Sequence, residues 1–128
     1  MPTLLVADDN RLSRELIRDL FESPDCLVVE ASNGQEALER VGQANPDLVL
    51  LDIEMPLQDG FSVLVGIRSN PRFSGIPVLA VTAKALEPDR ERIVAAGFDA
   101  YITKPIKTRE LRRRVQELLN RTGREGRP

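Results

Sequence analysis

Short apolar runs alternate five times with stretches of helical periodicity along this chain, and that alternation leaves few folds open. Thr3 to Ala7 is an apolar run closed by Asp8-Asp9 and reads as a buried strand. Asn10 suits an N-cap, after which Leu12, Leu16, Ile17, Leu20 and Phe21 recur at the spacing of one helix face. Ser23-Pro24-Asp25 breaks that helix. Cys26 to Ala31 reads as a second strand and Ser32-Asn33-Gly34 as a turn. Ala37, Leu38 and Val41 mark a second helix, ended by Asn45-Pro46. Asp47 to Leu51 is almost purely apolar, as in a strand covered on both faces, and it ends at Asp52. Met55-Pro56 and Asp59-Gly60 are loop signals, and Phe61, Leu64, Val65 and Ile67 follow as a third helix. Asn70-Pro71 and Gly75 bracket a surface loop, and Ile76 to Val81 forms a fourth strand ending at Thr82. A fourth helix is predicted to start near Pro88-Asp89, where proline suits the first turn, and to stop at Gly97. Ala100-Tyr101-Ile102 is a short fifth strand before Lys104-Pro105, and Leu111, Val115, Leu118 and Leu119 line a last helix that starts near Thr108.

Regular strand–helix alternation implies an α/β fold: a parallel sheet, right-handed crossovers and helices on both faces. With 128 residues the chain suits one domain. That domain is placed at residues 1–121, with the polar segment Thr122 to Pro128 as a frayed end or the start of a linker. The net charge of −2 argues against a general nucleic-acid binder. Histidine is absent, which removes His-based triads, His-ligated metals and a phosphohistidine carried by this chain. The single cysteine, Cys26, forbids an intramolecular disulfide and fits a reducing compartment. No apolar stretch approaches the roughly 20 residues that span a bilayer, so a cytoplasmic protein without membrane association is expected.

The polar residues that interrupt the apolar runs share one location. Asp8 and Asp9 follow the first strand, Asp52 the third, Thr82 the fourth and Lys104 the fifth. The C-terminal ends of parallel strands lie on one edge of the sheet, where α/β proteins bind ligands. Three carboxylates gathered there repel one another unless a cation sits among them. An all-oxygen donor set favours a hard ion, Mg²⁺ or Mn²⁺, over zinc. Asp52 is a candidate nucleophile, since carboxylates form aspartyl phosphates. The Lys104 ammonium and the Thr82 hydroxyl are suited to phosphoryl oxygens, so the set fits phosphoryl transfer.

Asp8-Asp9, Asp52 followed by Met55-Pro56 and Gly60, Thr82-Ala83 and Lys104-Pro105 together resemble the response-regulator receiver (CheY-like) family over roughly residues 3 to 120. The resemblance implies a flavodoxin-like, doubly wound (βα)5 fold with sheet order 2-1-3-4-5. It also implies that Asp52 is the phospho-acceptor. Mg²⁺ would be held by Asp8, Asp9, Asp52 and the backbone carbonyl of Glu54. Thr82 and Tyr101 would be the switch residues, Lys104 the phosphate partner, and Lys104–Pro105 a cis peptide bond. The implied partners are a histidine kinase or histidine phosphotransfer protein and a downstream protein target or attached effector domain, with no direct DNA binding. The implied assembly is a monomer or a phosphorylation-dependent dimer, and the implied activity is self-catalysed phosphorylation and dephosphorylation of a switch rather than enzymatic turnover. No output domain is visible, so a stand-alone regulator and a receiver cut from a larger protein are both expected forms.

Two rivals are distinguishable. Aspartyl-phosphate hydrolases of small phosphoesters usually place two aspartates with one residue between them at the first strand, whereas Asp8 and Asp9 are adjacent. A phosphorylation-independent docking module would usually lack one acidic residue or the lysine, whereas all five positions are present here. Glu54 and Lys84 have two readings: two solvated side chains, or a pair across the pocket mouth that slows the water attacking the acyl phosphate. Arg109, Arg112, Arg113 and Arg114 make the last helix basic: a solvated face first, a docking surface for an acidic partner or dimer mate second, and DNA contact a distant third.

Overall fold

A computed structural model describes residues 2–83 and 86–121, with Arg121 as backbone only. Five strands alternate with five helices: β1 (Thr3–Ala7), α1 (Arg11–Phe21), β2 (Leu27–Ala31), α2 (Gly34–Ala44), β3 (Leu48–Asp52), α3 (Gly60–Ser69), β4 (Val78–Thr82), α4 (Glu87–Ala96), β5 (Ala100–Thr103) and α5 (Thr108–Arg121). All strand pairs are parallel, in the order β2-β1-β3-β4-β5. This is the flavodoxin-like arrangement expected from the sequence.

The period of two along each strand feeds two cores. Leu5, Ala7, Val49, Leu51, Val78 and Ala80 face one side, where Ala37 and Val41 of α2, Val63, Leu64 and Ile67 of α3 and Ile93 of α4 cover them. Leu4, Val6, Leu48, Leu50, Leu79 and Ile102 face the other, against Ile17 of α1 and Leu111, Val115 and Leu118 of α5. Burial on both sides is why β3 and β4 have no exposed residue.

Helix starts depend on local polar groups. Asn10, Asn33 and Asp59 cap α1, α2 and α3 through side-chain oxygens that accept backbone N–H bonds. Gly34 and Gly60, read from sequence as turn residues, are therefore the first residues of helices. Asn45 and Gly97 end α2 and α4 in the left-handed region, at φ 48° and 104°.

Several expectations shift. Cys26 is not in the second strand: it forms an isolated antiparallel bridge with Ser23 ahead of it. The third strand begins at Leu48, because the Asp47 carboxylate accepts the Thr3 N–H at 2.8 Å and so caps the neighbouring strand's start. The fourth begins at Val78, since the Ile76 N–H turns back to the Phe73 carbonyl. Leu12 and Val65, counted on apolar helix faces, are 74 and 64% exposed. On α5, Arg113 and Arg114 pair with Glu117 while Arg109 and Arg112 are exposed. No helix among the described residues is long and apolar enough to cross a membrane. The segment Thr122 to Pro128 lies outside the described residues.

Candidate functional site

The sheet edge at the strand C-termini gathers the polar residues expected there. Asp52 closes β3, Thr82 closes β4, Asp8 directly follows β1 and Lys104 directly follows β5. Asp8, Asp52 and Thr82 are the three buried polar residues of the described chain, while Asp9 is exposed. Carboxylate oxygens of Asp8, Asp9 and Asp52 lie within 4.8 Å of one another. Three acidic groups that close, two of them buried, call for a cation, and an oxygen-only donor set suits Mg²⁺.

Lys104 supplies part of that charge. Its Nζ lies 3.1 Å from Oδ2 of both Asp8 and Asp52. Burial alone would lower the Lys104 pKa, but its hydrogen bonds and ion pairs with Asp8 and Asp52 outweigh this and hold it above the ordinary value. Asp52 moves upward too, to about 6: burial is the main cause, Asp8 adds to it, and the Glu54 N–H and Lys104 oppose it. The Glu54 N–H donates to Oδ1 of Asp52 at 3.1 Å, so each carboxylate oxygen of Asp52 has a donor. Asp8 accepts the Asn10 N–H on Oδ1 at 2.8 Å.

The Lys104–Pro105 peptide bond is cis. Lys104 N–H donates to the Thr82 carbonyl at 2.8 Å, and Thr82 pairs with Thr103 in register, so the lysine and the threonine emerge side by side. Tyr101 is half-buried on β5 against the core under α4, with the Arg90 guanidinium 6.0 Å above its ring. A Glu54–Lys84 pair would involve a residue outside those described.

A cleft of about 520 Å³ opens beside the aspartates, lined by Asp9, Glu54, Met55, Pro56, Phe61 and Arg92 among others. Arg92 of α4 stacks on Phe61 of α3 at 4.1 Å, and Phe61 packs edge-on against Phe98 at 5.8 Å. Sequence reading missed Arg92, which sits on a helix whose buried side is carried by Ile93 alone. It also missed Arg14, which donates to the Asp8 carbonyl at 2.8 Å. The available signal was Glu30, an acid inside the otherwise apolar β2, which calls for a cationic partner.

The sequence profile of the response regulator receiver domain matches residues 4–116. The chain belongs to the response regulator receiver family. It is 39% identical over 104 residues to the polar-differentiation response regulator DivK of Brucella anthropi, spanning 81% of this chain and 85% of that one. It is 38% identical over 114 residues to a 14.6 kDa protein of Leptolyngbya boryana, spanning 89% and 87%. The receiver domain of Francisella response regulator 1452 superposes with a TM-score of 0.86 at 33% identity, covering 95% of this chain and 99% of that one. A CheY-like receiver domain protein of Methanospirillum hungatei does so with a TM-score of 0.85 at 26% identity, covering 98% of each. The receiver is thus a signalling module of two-component systems, and its acidic cluster is consistent with the family's use of Mg²⁺.

Proposed function

We propose that this receiver accepts a phosphoryl group on Asp52 from a phosphohistidine of a histidine kinase or histidine phosphotransfer protein. A carboxylate oxygen of Asp52 bonds to phosphorus as the P–N bond to the partner's imidazole breaks, and the imidazole leaves with that electron pair. The observation that carries the reading is the convergence of Asp8, Asp9 and Asp52 within 4.8 Å with Lys104 between two of them. Mg²⁺, held by Asp8, Asp9, Asp52 and the Glu54 carbonyl, would neutralise charge on the phosphoryl oxygens.

The chain's own residues do the rest. Lys104 releases one carboxylate contact and balances the phosphoryl charge. The Thr82 hydroxyl donates to a phosphoryl oxygen, drawing the end of β4 inward. Tyr101, two residues before Thr103 in the strand paired with β4, follows that movement, and the α4-β5-α5 face changes shape for a downstream partner. Phosphorylation acts by biasing two pre-existing states. The module works as a switch, in the cytoplasm, as a residue 1–121 unit.

The test is labelling by a phosphorylated kinase with and without Mg²⁺. Wild type is expected to take up label only with the ion, and Asp52→Asn not at all. Label on Asp52→Asn, or uptake indifferent to Mg²⁺, would refute the assignment.

A further inference from the structure

Arg14 is a charged residue with no part in the chemistry above, yet it touches the site's main chain. It stands in α1 just past the Asn10 cap, with its side chain 16% exposed. Its Nη1 donates to the Asp8 carbonyl at 2.8 Å while its Nε pairs with Oε1 of Glu30 at 3.0 Å. The Asp8 N–H, in turn, donates to the Ala31 carbonyl at 3.0 Å. The Asp8 backbone is therefore held from both sides, by β2 through its N–H and by α1 through its carbonyl. That carbonyl belongs to the planar peptide joining Asp8 to Asp9, so the contact orients the unit from which both carboxylates hang.

Glu30 also has a second partner, on its other oxygen. Its Oε2 accepts from Nε of Arg18 at 2.7 Å, and Arg18 also reaches the Val28 carbonyl at 3.1 Å. Two guanidiniums thus hold one acid on β2, but of the two only Arg14 reaches the aspartate loop.

We propose that Arg14, braced by Glu30, is a positioning residue for the metal-binding aspartates, setting the Asp8–Asp9 main chain so that their carboxylates are held ready for a divalent cation. This rests on the Mg²⁺ reading given under the proposed function. Groups behind the ligands commonly govern metal affinity by orienting them. Charge and geometry here predict opposite signs. A guanidinium repels a nearby cation, so Arg14 acting through charge alone would weaken Mg²⁺ binding, whereas Arg14 acting through position strengthens it.

The experiment is calorimetric titration of the unphosphorylated protein with MgCl₂ at fixed ionic strength, with a urea midpoint for each variant. Arg14→Met, which keeps an apolar stem and loses both donors, is expected to bind Mg²⁺ on the order of tenfold more weakly. Arg18→Ala removes a Glu30 partner that does not touch Asp8; it should lower the urea midpoint and leave Mg²⁺ affinity unchanged. Unchanged or tighter binding in Arg14→Met overturns the proposal, as does equal weakening in Arg18→Ala. Should Arg14→Met fold poorly, Arg14→Lys keeps the charge and alters only the geometry. It must bind more weakly than wild type, and equal affinity overturns the proposal. Asp9→Asn keeps the two readings apart: if wild type and Asp9→Asn bind Mg²⁺ alike, the metal site itself is wrong, whatever Arg14 does.

Discussion

Nζ of Lys104 lies 3.1 Å from Oδ2 of Asp52. The same ammonium is 3.1 Å from Oδ2 of Asp8, so one cation serves two buried carboxylates. A divalent ion entering among the aspartates meets that positive charge. Lys104→Met is therefore expected to bind Mg²⁺ several-fold more tightly than wild type. Without Mg²⁺ it should be less stable, by about 1–3 kcal/mol, because two buried carboxylate oxygens lose their hydrogen-bond donor. Urea denaturation at increasing MgCl₂ measures both effects. Equal Mg²⁺ affinity in the two proteins would show that Lys104 does not compete for the site.

Asp52 carries a pH signature. Burial first, and the Asp8 charge second, raise its pKa from 3.8 to about 6. The folded protein therefore holds this proton more tightly than the unfolded chain does. Its stabilising contribution is complete below the unfolded value and is lost as pH rises through about 6. At neutral pH, keeping the group ionised costs on the order of 3 kcal/mol. Asp52→Asn should thus be more stable than wild type near neutrality by about 1–3 kcal/mol, with the gain shrinking toward zero near pH 4. Urea curves at the two pH values check this. A variant less stable than wild type at neutral pH would mean that the Lys104 pair outweighs the burial penalty.

Gly60 ties the α3 start to Asp52 and Ile53. Its N–H donates to the Ile53 carbonyl at 2.8 Å, and a Cβ on it would stand 2.7 Å from the Asp52 carbonyl oxygen and 2.8 Å from the Ile53 Cα. Both neighbours are backbone, so neither can rotate away. Gly60→Ala is expected to destabilise the fold by about 1–3 kcal/mol and to disturb the Asp52 loop. Gly42→Ala is the counterpart: nothing lies within 4 Å of its added methyl, and in the last turn of α2 the change should stabilise by up to about 0.5 kcal/mol. Thermal unfolding of the pair separates steric conflict from helix propensity, and equal effects would defeat the explanation.

Asp8, Asp52, Thr82 and Lys104 were legible in the sequence for one reason. Each closes or follows an apolar run, and parallel strands bring such ends to one edge. Arg14 was not legible, because its function depends on a backbone carbonyl and on Glu30, 16 residues away. Arg92 was hidden in the same way, since its partner Phe61 belongs to another helix. Leu12 misled: helical spacing marks a face, but not how far along that face the sheet extends, and only Ile17 of α1 is fully covered. Cys26 looked like strand sequence, yet pairing with Ser23 captures it in a tight turn before β2 begins.

Tyr101 offers an optical readout of the proposed switch. It is the sole tyrosine, and the chain has no tryptophan, so with excitation beyond the absorption of its phenylalanines the protein emits from one side chain. That ring packs half-buried against the core beneath α4, with Arg90 6.0 Å above it. If the phosphorylated site draws Thr82 inward and Tyr101 follows, the ring exchanges one environment for another and its emission must change. Beryllofluoride, an acyl-phosphate mimic, is expected to alter Tyr101 fluorescence in the presence of Mg²⁺. Asp52→Asn should show no change, and Thr82→Ala a smaller one at saturating ligand. The Thr82→Ala result decides the coupling, because that variant keeps every carboxylate. A full-sized change in Thr82→Ala would detach Tyr101 from Thr82, and no change in wild type, with beryllofluoride binding confirmed by ¹⁹F resonance, would end the switch role of Tyr101.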